Sequence, residues 1–253
     1  MIKFVVFALA ASLGNAQWFD HKAQGVPRLK DGKPNLSAPA PKKRDLSGIW
    51  MLPYSTLGPG GPPRYSTYLA ADLPENSVPL RPEARRLIGV RLGANGKDLP
   101  FSRCLPAGIT LAVTYPTPFK IIQNPGLTTI LYEVRGAYRQ IFTDGRALPK
   151  DPNPTWMGYS IGHWEKDTFV VESNGFNDKT WIDAIGHPHG EKLRLTERYH
   201  RRDFGHIELQ LTVNDPDWYE KPWSVTLLLE MTPDNELLED VCLENERDSV
   251  HMK

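Results

Sequence analysis

No sign of charge dominates this chain. Lysine plus arginine and aspartate plus glutamate both number 30, so the formal net charge is zero. A balanced chain has no long-range pull toward nucleic acid or an anionic membrane, and neither is expected as a partner. The sequence also lacks a G-x-G-x-x-G fingerprint and a Walker loop, so nucleotide-dependent chemistry is not expected. The letters G-x-S-x-G occur once, at Gly158-Tyr159-Ser160-Ile161-Gly162, but inside a run that reads as a strand, so the nucleophile elbow of a serine hydrolase is not expected. Long apolar runs are missing: the one candidate, FVVFALAASL, is too short to span a bilayer. Cysteine is limited to Cys104 and Cys242.

That short apolar run follows Lys3 and precedes Gly14, Asn15 and Ala16. A positive start, an apolar stretch and small residues at the cut site form a secretory signal, expected over residues 1–16. Cleavage after Ala16 leaves Gln17 as the first mature residue and a periplasmic or secreted protein that needs no membrane. Such a compartment permits a disulfide between Cys104 and Cys242. Closing so long a loop stabilises a fold by roughly 4–5 kcal/mol in the chain-entropy model. Two separate buried thiols are the other reading of the pair.

What the chain has in quantity is proline and glycine, 23 and 20 residues. Residues 17–45 are rich in Pro, Lys and small residues and read as a solvated linker. The folded domain is expected from residue 46 to 253. Ile49, Trp50, Met51 and Leu52 open it as a strand, and an irregular insertion follows over 53–117. In that insertion Tyr54, Tyr65 and Tyr68 form either a lid over a pocket or plain surface covering. One helix is expected near 81–92, with Pro82 at its start, Glu83 in its first turn and Gly93 past its end. From Pro118 onward short runs alternate with period two and are joined by turns. FKIIQN, LTTILYEV, AYRQIFT, GYSIGHW, DTFVVESN, KLRLTERYHRRD, HIELQLTVND, WSVTLLLEM and ELLEDVCLE all read as strands. With the first strand, these make an all-β chain: an antiparallel barrel or sandwich carrying one short helix.

Gly48-x-Trp50 resembles the opening of lipocalin-type barrels, in which the Trp plugs one end and packs against an Arg near the last strand. That resemblance implies a lipocalin-like barrel, with Arg247 in the arginine role. A wider resemblance is to a large group of exported bacterial proteins of unassigned activity. They share CLPAG (Cys104–Gly108), TYPTPFKI (Thr114–Ile121) and the run from Asp144 to Thr168 that contains DPNPTWMGYS. They also share GFND (Gly175–Asp178), GHPH (Gly186–His189) and TERxxRRDFGH (Thr196–His206). Lys166 stands where glycine is more usual. No chemistry comes with this resemblance.

Chemistry-bearing residues concentrate between Trp156 and His206, which hold five of the seven histidines. Residues two apart share a strand face. Glu197 therefore falls on an apolar face with Leu195 and Tyr199, and a buried carboxylate needs a partner or a raised pKa. His163 lies beside Tyr159 and Ile161. Glu197 and His163 are candidates for an acid–base pair in a barrel mouth, or for separate structural pairs. The loop WIDAIGHPHGE adds Asp183, His187 and His189, which suit an Asp-oriented general base. They also suit a divalent-metal set, although no other cofactor is expected and the spacing is not a strong zinc pattern. A surface turn is the plainer reading of that loop. Arg198 is positioned to steady developing negative charge, while Trp156, Trp164, Trp181 and Tyr159 offer contact area to a substrate. Two functions follow from different classes. One is an exported enzyme that eliminates from, isomerises or hydrolyses a small molecule; the other is a noncatalytic carrier of a small apolar or aromatic ligand.

Overall fold

The computed structural model describes residues 22–53 and 64–243. The expected signal segment, Tyr54 and Arg247 lie outside them. Nine strands close into one barrel in chain order. They are β1 (Gly48–Met51), β2 (Phe119–Asn124), β3 (Leu127–Tyr132), β4 (Tyr138–Phe142), β5 (Tyr159–Glu165), β6 (Thr168–Asn174), β7 (Arg194–Arg201), β8 (His206–Asn214) and β9 (Trp223–Met231). The all-β class is as expected. Period-two alternation explains why: Ile207, Leu209, Leu211 and Val213 of β8 are all fully buried, while Gln210 between them faces solvent.

Closure is uneven. Within β1–β4 and within β5–β9 every neighbouring pair is antiparallel. The two groups meet at two short seams. β1 meets β9 through Trp50↔Met231 and Met51↔Glu230. β4 meets β5 through Ile141↔Ser160 and Phe142↔Ile161, and this pair is parallel. The expectation of a wholly antiparallel barrel is corrected here. A parallel neighbour needs a crossover, and residues 143–158, which include the long turn DGRALPKDPNPT, supply it by running back along the barrel to start β5 at the end where β4 starts. Gly162 makes that junction tight: a Cβ there would sit 2.6 Å from the Phe169 ring and 2.8 Å from Ile141.

The interior is filled. Phe119, Ile121, Ile130, Ile141, Phe169, Val171, Tyr199, Leu227 and Leu229 all point inward and are buried. Each fully buried side chain of this size contributes about 1.5–3 kcal/mol. At one end Trp50 donates its indole N–H to Leu46 O at 2.8 Å, and the Arg201 guanidinium lies 5.1 Å from its ring. Arg201 stands at the end of β7, and the Arg247 expectation lies outside the described residues. The segment expected as a solvated linker also packs here. Its Leu36 and Ala38 carbonyls accept from Gly205 and Phe204, and Arg28 pairs with Asp234 at 2.7 Å. Pro and Lys content does not prevent packing where a barrel end offers free amides.

The other end carries three helices: α1 (Arg64–Thr67), α2 (Pro82–Gly93) and α3 (Gly108–Thr114). The helix near 81–92 is α2. α3 went unread because GITLAVT is apolar on every side, and it is buried throughout. The expected strand ELLEDVCLE does not form; β9 gives its free edge to β1 instead. The tail is pinned by the Cys104–Cys242 disulfide, whose Cα atoms are 5.6 Å apart, and by Leu238 N–H on Glu133 at 2.8 Å.

Candidate functional site

The β6–β7 loop, residues 175–193, lies across the helical end of the barrel. Asp183 is completely buried there, and three donors fix its carboxylate. Leu69 N–H, just after α1, reaches Oδ2 at 3.0 Å, and His187 N–H reaches Oδ1 at 3.2 Å. The third is the His187 ring, whose Nδ1 lies 2.7 Å from Oδ2. An ionised carboxylate can only accept, so Nδ1 carries the proton and Nε2 presents a lone pair. Nε2 has no hydrogen-bond partner among the described residues. Tyr68 stacks on the imidazole at 5.6 Å and 11°, and Trp223 flanks it at 6.1 Å. Burial, and then the Asp183 charge, raise the Tyr68 phenol above its ordinary pKa. Trp223 is 6% exposed, and its indole N–H also lacks an acceptor among the described residues.

The loop is held from two sides. Arg91 of α2 donates to Gly186 O at 2.8 Å and lies 4.3 Å above the Trp181 ring. Burial lowers its pKa to about 10. From the β8–β9 connection, Asp215 accepts from Gly190 N–H at 2.6 Å, and the Tyr219 phenol donates to Pro188 O at 2.8 Å. The alternative reading of this loop as a surface turn is therefore corrected: it is a buried, latched element.

His189 does a different job. Its Nε2 lies 2.6 Å from the Thr180 hydroxyl and its Nδ1 3.3 Å from Gly190 O, so both nitrogens are occupied. Burial holds its pKa below the ordinary histidine value. Gly108, at φ +75° where α3 begins, lets the backbone close on Thr180; a Cβ would meet the hydroxyl at 2.9 Å. Asp183, His187 and His189 do not converge as one ligand set. Among the described residues no three His, Cys, Asp or Glu side chains form a group that could hold a metal ion.

His163 and Glu197 do not form the expected pair. The β5–β6–β7 register aligns His163 with Val170 and Arg198, and Gly162 with Val171 and Glu197. The two residues thus sit on opposite faces of the wall. His163 is exposed and lies 3.2 Å from Glu165, which also accepts from Arg198 at 2.8 Å. Arg198 is likewise outside and away from Asp183. The Glu197 carboxylate, fully buried, takes the Arg139 fork at 3.0 and 2.5 Å and the Tyr199 phenol at 2.7 Å. Arg139 also donates to Ser160 at 3.0 Å and Ser173 at 2.8 Å. Burial opposes its charge, but Glu197 outweighs burial and keeps Arg139 above its usual pKa. The buried Tyr132 phenol beside them is pushed up to about 12 by burial. Sequence reading missed Arg139. Period two along β4 aligns it with Ile141, which was the available signal.

The aromatic candidates divide in the same way. Trp164 packs on Phe169 at 5.2 Å, and Trp181 is buried under Arg91. Trp156 and Tyr159 line a groove of about 570 Å³ at the β4–β5 seam. Asn177 accepts from Lys179 N–H and turns the chain. Tyr68, from the irregular insertion, is the contact to His187 that no strand pattern indicates. Comparisons of the chain with protein-family models, with curated proteins and with solved structures gave no match.

Proposed function

We propose that this chain is an exported enzyme that acts on a small organic molecule by acid–base chemistry, with His187 as the base. One observation carries the reading: a fully buried Asp183 holds Nδ1 of His187 while Nε2 is left open. A proton taken by Nε2 makes an imidazolium whose charge Asp183 offsets at 2.7 Å. The unfilled Trp223 N–H is a donor for negative charge developing on the substrate, and Tyr68 offers a flat face beside the base. Elimination, isomerisation and hydrolysis all use these parts. The disulfide supports export. The carrier reading draws less support, because large side chains fill the barrel where a ligand would sit.

The test is turnover on a panel of phenolic and sugar-derived esters and β-hydroxy acids, with native protein, His187→Gln and Asp183→Asn. Loss of roughly 10²-fold or more in both variants, with thermal midpoints near native, is expected. Undiminished turnover in His187→Gln refutes the assignment.

A further inference from the structure

We propose a second binding site, for an aromatic carboxylate, in the groove at the β4–β5 seam. The seam holds only Ile141↔Ser160 and Phe142↔Ile161, so Tyr138–Gln140 lack β5 partners. The wall opens there into the groove of about 570 Å³, within the size range of small-molecule sites. Trp156, Met157, Tyr138 and Tyr159 form its sides. Tyr138 is 65% exposed and Tyr159 36%, the two most exposed aromatics among the described residues. Exposed aromatics gathered around a concavity supply stacking area for a flat ring.

The polar end fixes the ligand class. Arg135 and Arg139 line the groove, and no carboxylate side chain does. The Arg139 fork is committed to Glu197, so Arg135, in a looser ion pair with Asp240, is the second cation of the groove. Its Nη2 donates to Phe101 O at 3.1 Å, its Nη1 lies 3.6 Å from Asp240, and its buried Nε–H has no acceptor among the described residues. A guanidinium whose Nη1 is held only at 3.6 Å, beside aromatic walls, matches a planar ring that bears a carboxylate. The groove and the Asp183–His187 pair are built from different residues, so this site stands apart from the proposed catalysis.

Isothermal titration with 4-hydroxybenzoate, and with neutral 4-hydroxybenzamide, tests it on native protein and on His187→Gln. Saturable binding of the carboxylate is expected in both proteins, with the amide weaker by about tenfold. Arg135→Gln and Trp156→Ala should each weaken carboxylate binding by about tenfold. Tyr138→Ala, at a position 65% exposed, should weaken it severalfold. No saturation at millimolar ligand overturns the proposal. Equal affinity for the amide, or native affinity in Tyr138→Ala and Trp156→Ala, also overturns it.

Discussion

At the scale of single residues, two histidines two positions apart in chemistry-rich sequence have opposite fates. His187 has one nitrogen bound and one open, whereas His189 has both filled. Both geometries place the proton on Nδ1, so nitrogen chemical shifts at neutral pH should report the Nδ1–H tautomer for each ring. An Nε2–H signal from His187 would contradict the proposed base. His189 also links stability to pH. Its folded pKa is depressed by burial, so below about pH 6.5 the unfolded chain takes up a proton that the folded chain resists. Stability from this group is therefore intact above that pH and declines as pH falls. Thermal midpoints at pH 7.5 and 5.5 should show the decline, and His189→Asn should shrink it. Arg139 and Glu197 set up a third measurement. Arg139→Met or Glu197→Leu alone strands a buried charge and should cost about 3–5 kcal/mol in urea unfolding. The double variant should recover much of that loss, because it buries no charge.

At the scale of elements, strand parity was legible because period-two alternation is a local property. It put Glu197 on the buried face before any partner was known. Parity does not say which face of β5 turns inward, so it leaves a His163–Glu197 pair and separate structural partners both open. Gly162 decides it: only a residue without a side chain fits against Phe169 and Ile141, so its neighbour His163 faces out. The β4–β5 crossover, the packing of residues 22–46 and the latch on the β6–β7 loop all rest on contacts between distant segments, which periodicity does not encode. Tyr68 reaching His187 belongs to the same class. The seams carry their own expectation. Backbone amides of Tyr138–Gln140 on the β5 side should exchange hydrogen much faster than those of the β7–β8 ladder. Equal protection in both places would mean the seam is closed in solution.

At the scale of the whole molecule, the barrel is two antiparallel sheets, β1–β4 and β5–β9, joined at two short seams. Contacts between the halves compensate for those seams. Arg139 of β4 reaches Glu197 of β7, and Arg201 of β7 covers Trp50 of β1. Cys104 in the first half is bonded to Cys242 after the last strand. Thiol titration of denatured, unreduced protein should find no free thiol. The bridge spans 138 residues, and the chain-entropy model gives it about 5 kcal/mol, so reduction should lower the thermal midpoint clearly. Exposed arginine and lysine side chains, Arg146 and Lys150, sit on the 143–158 crossover between the halves. A trypsin cut there would sever the only backbone link between the sheets yet leave them covalently joined through sulfur. Nicked protein should run as one band on a nonreducing gel and as two once reductant is added, and before reduction it should keep its native circular dichroism.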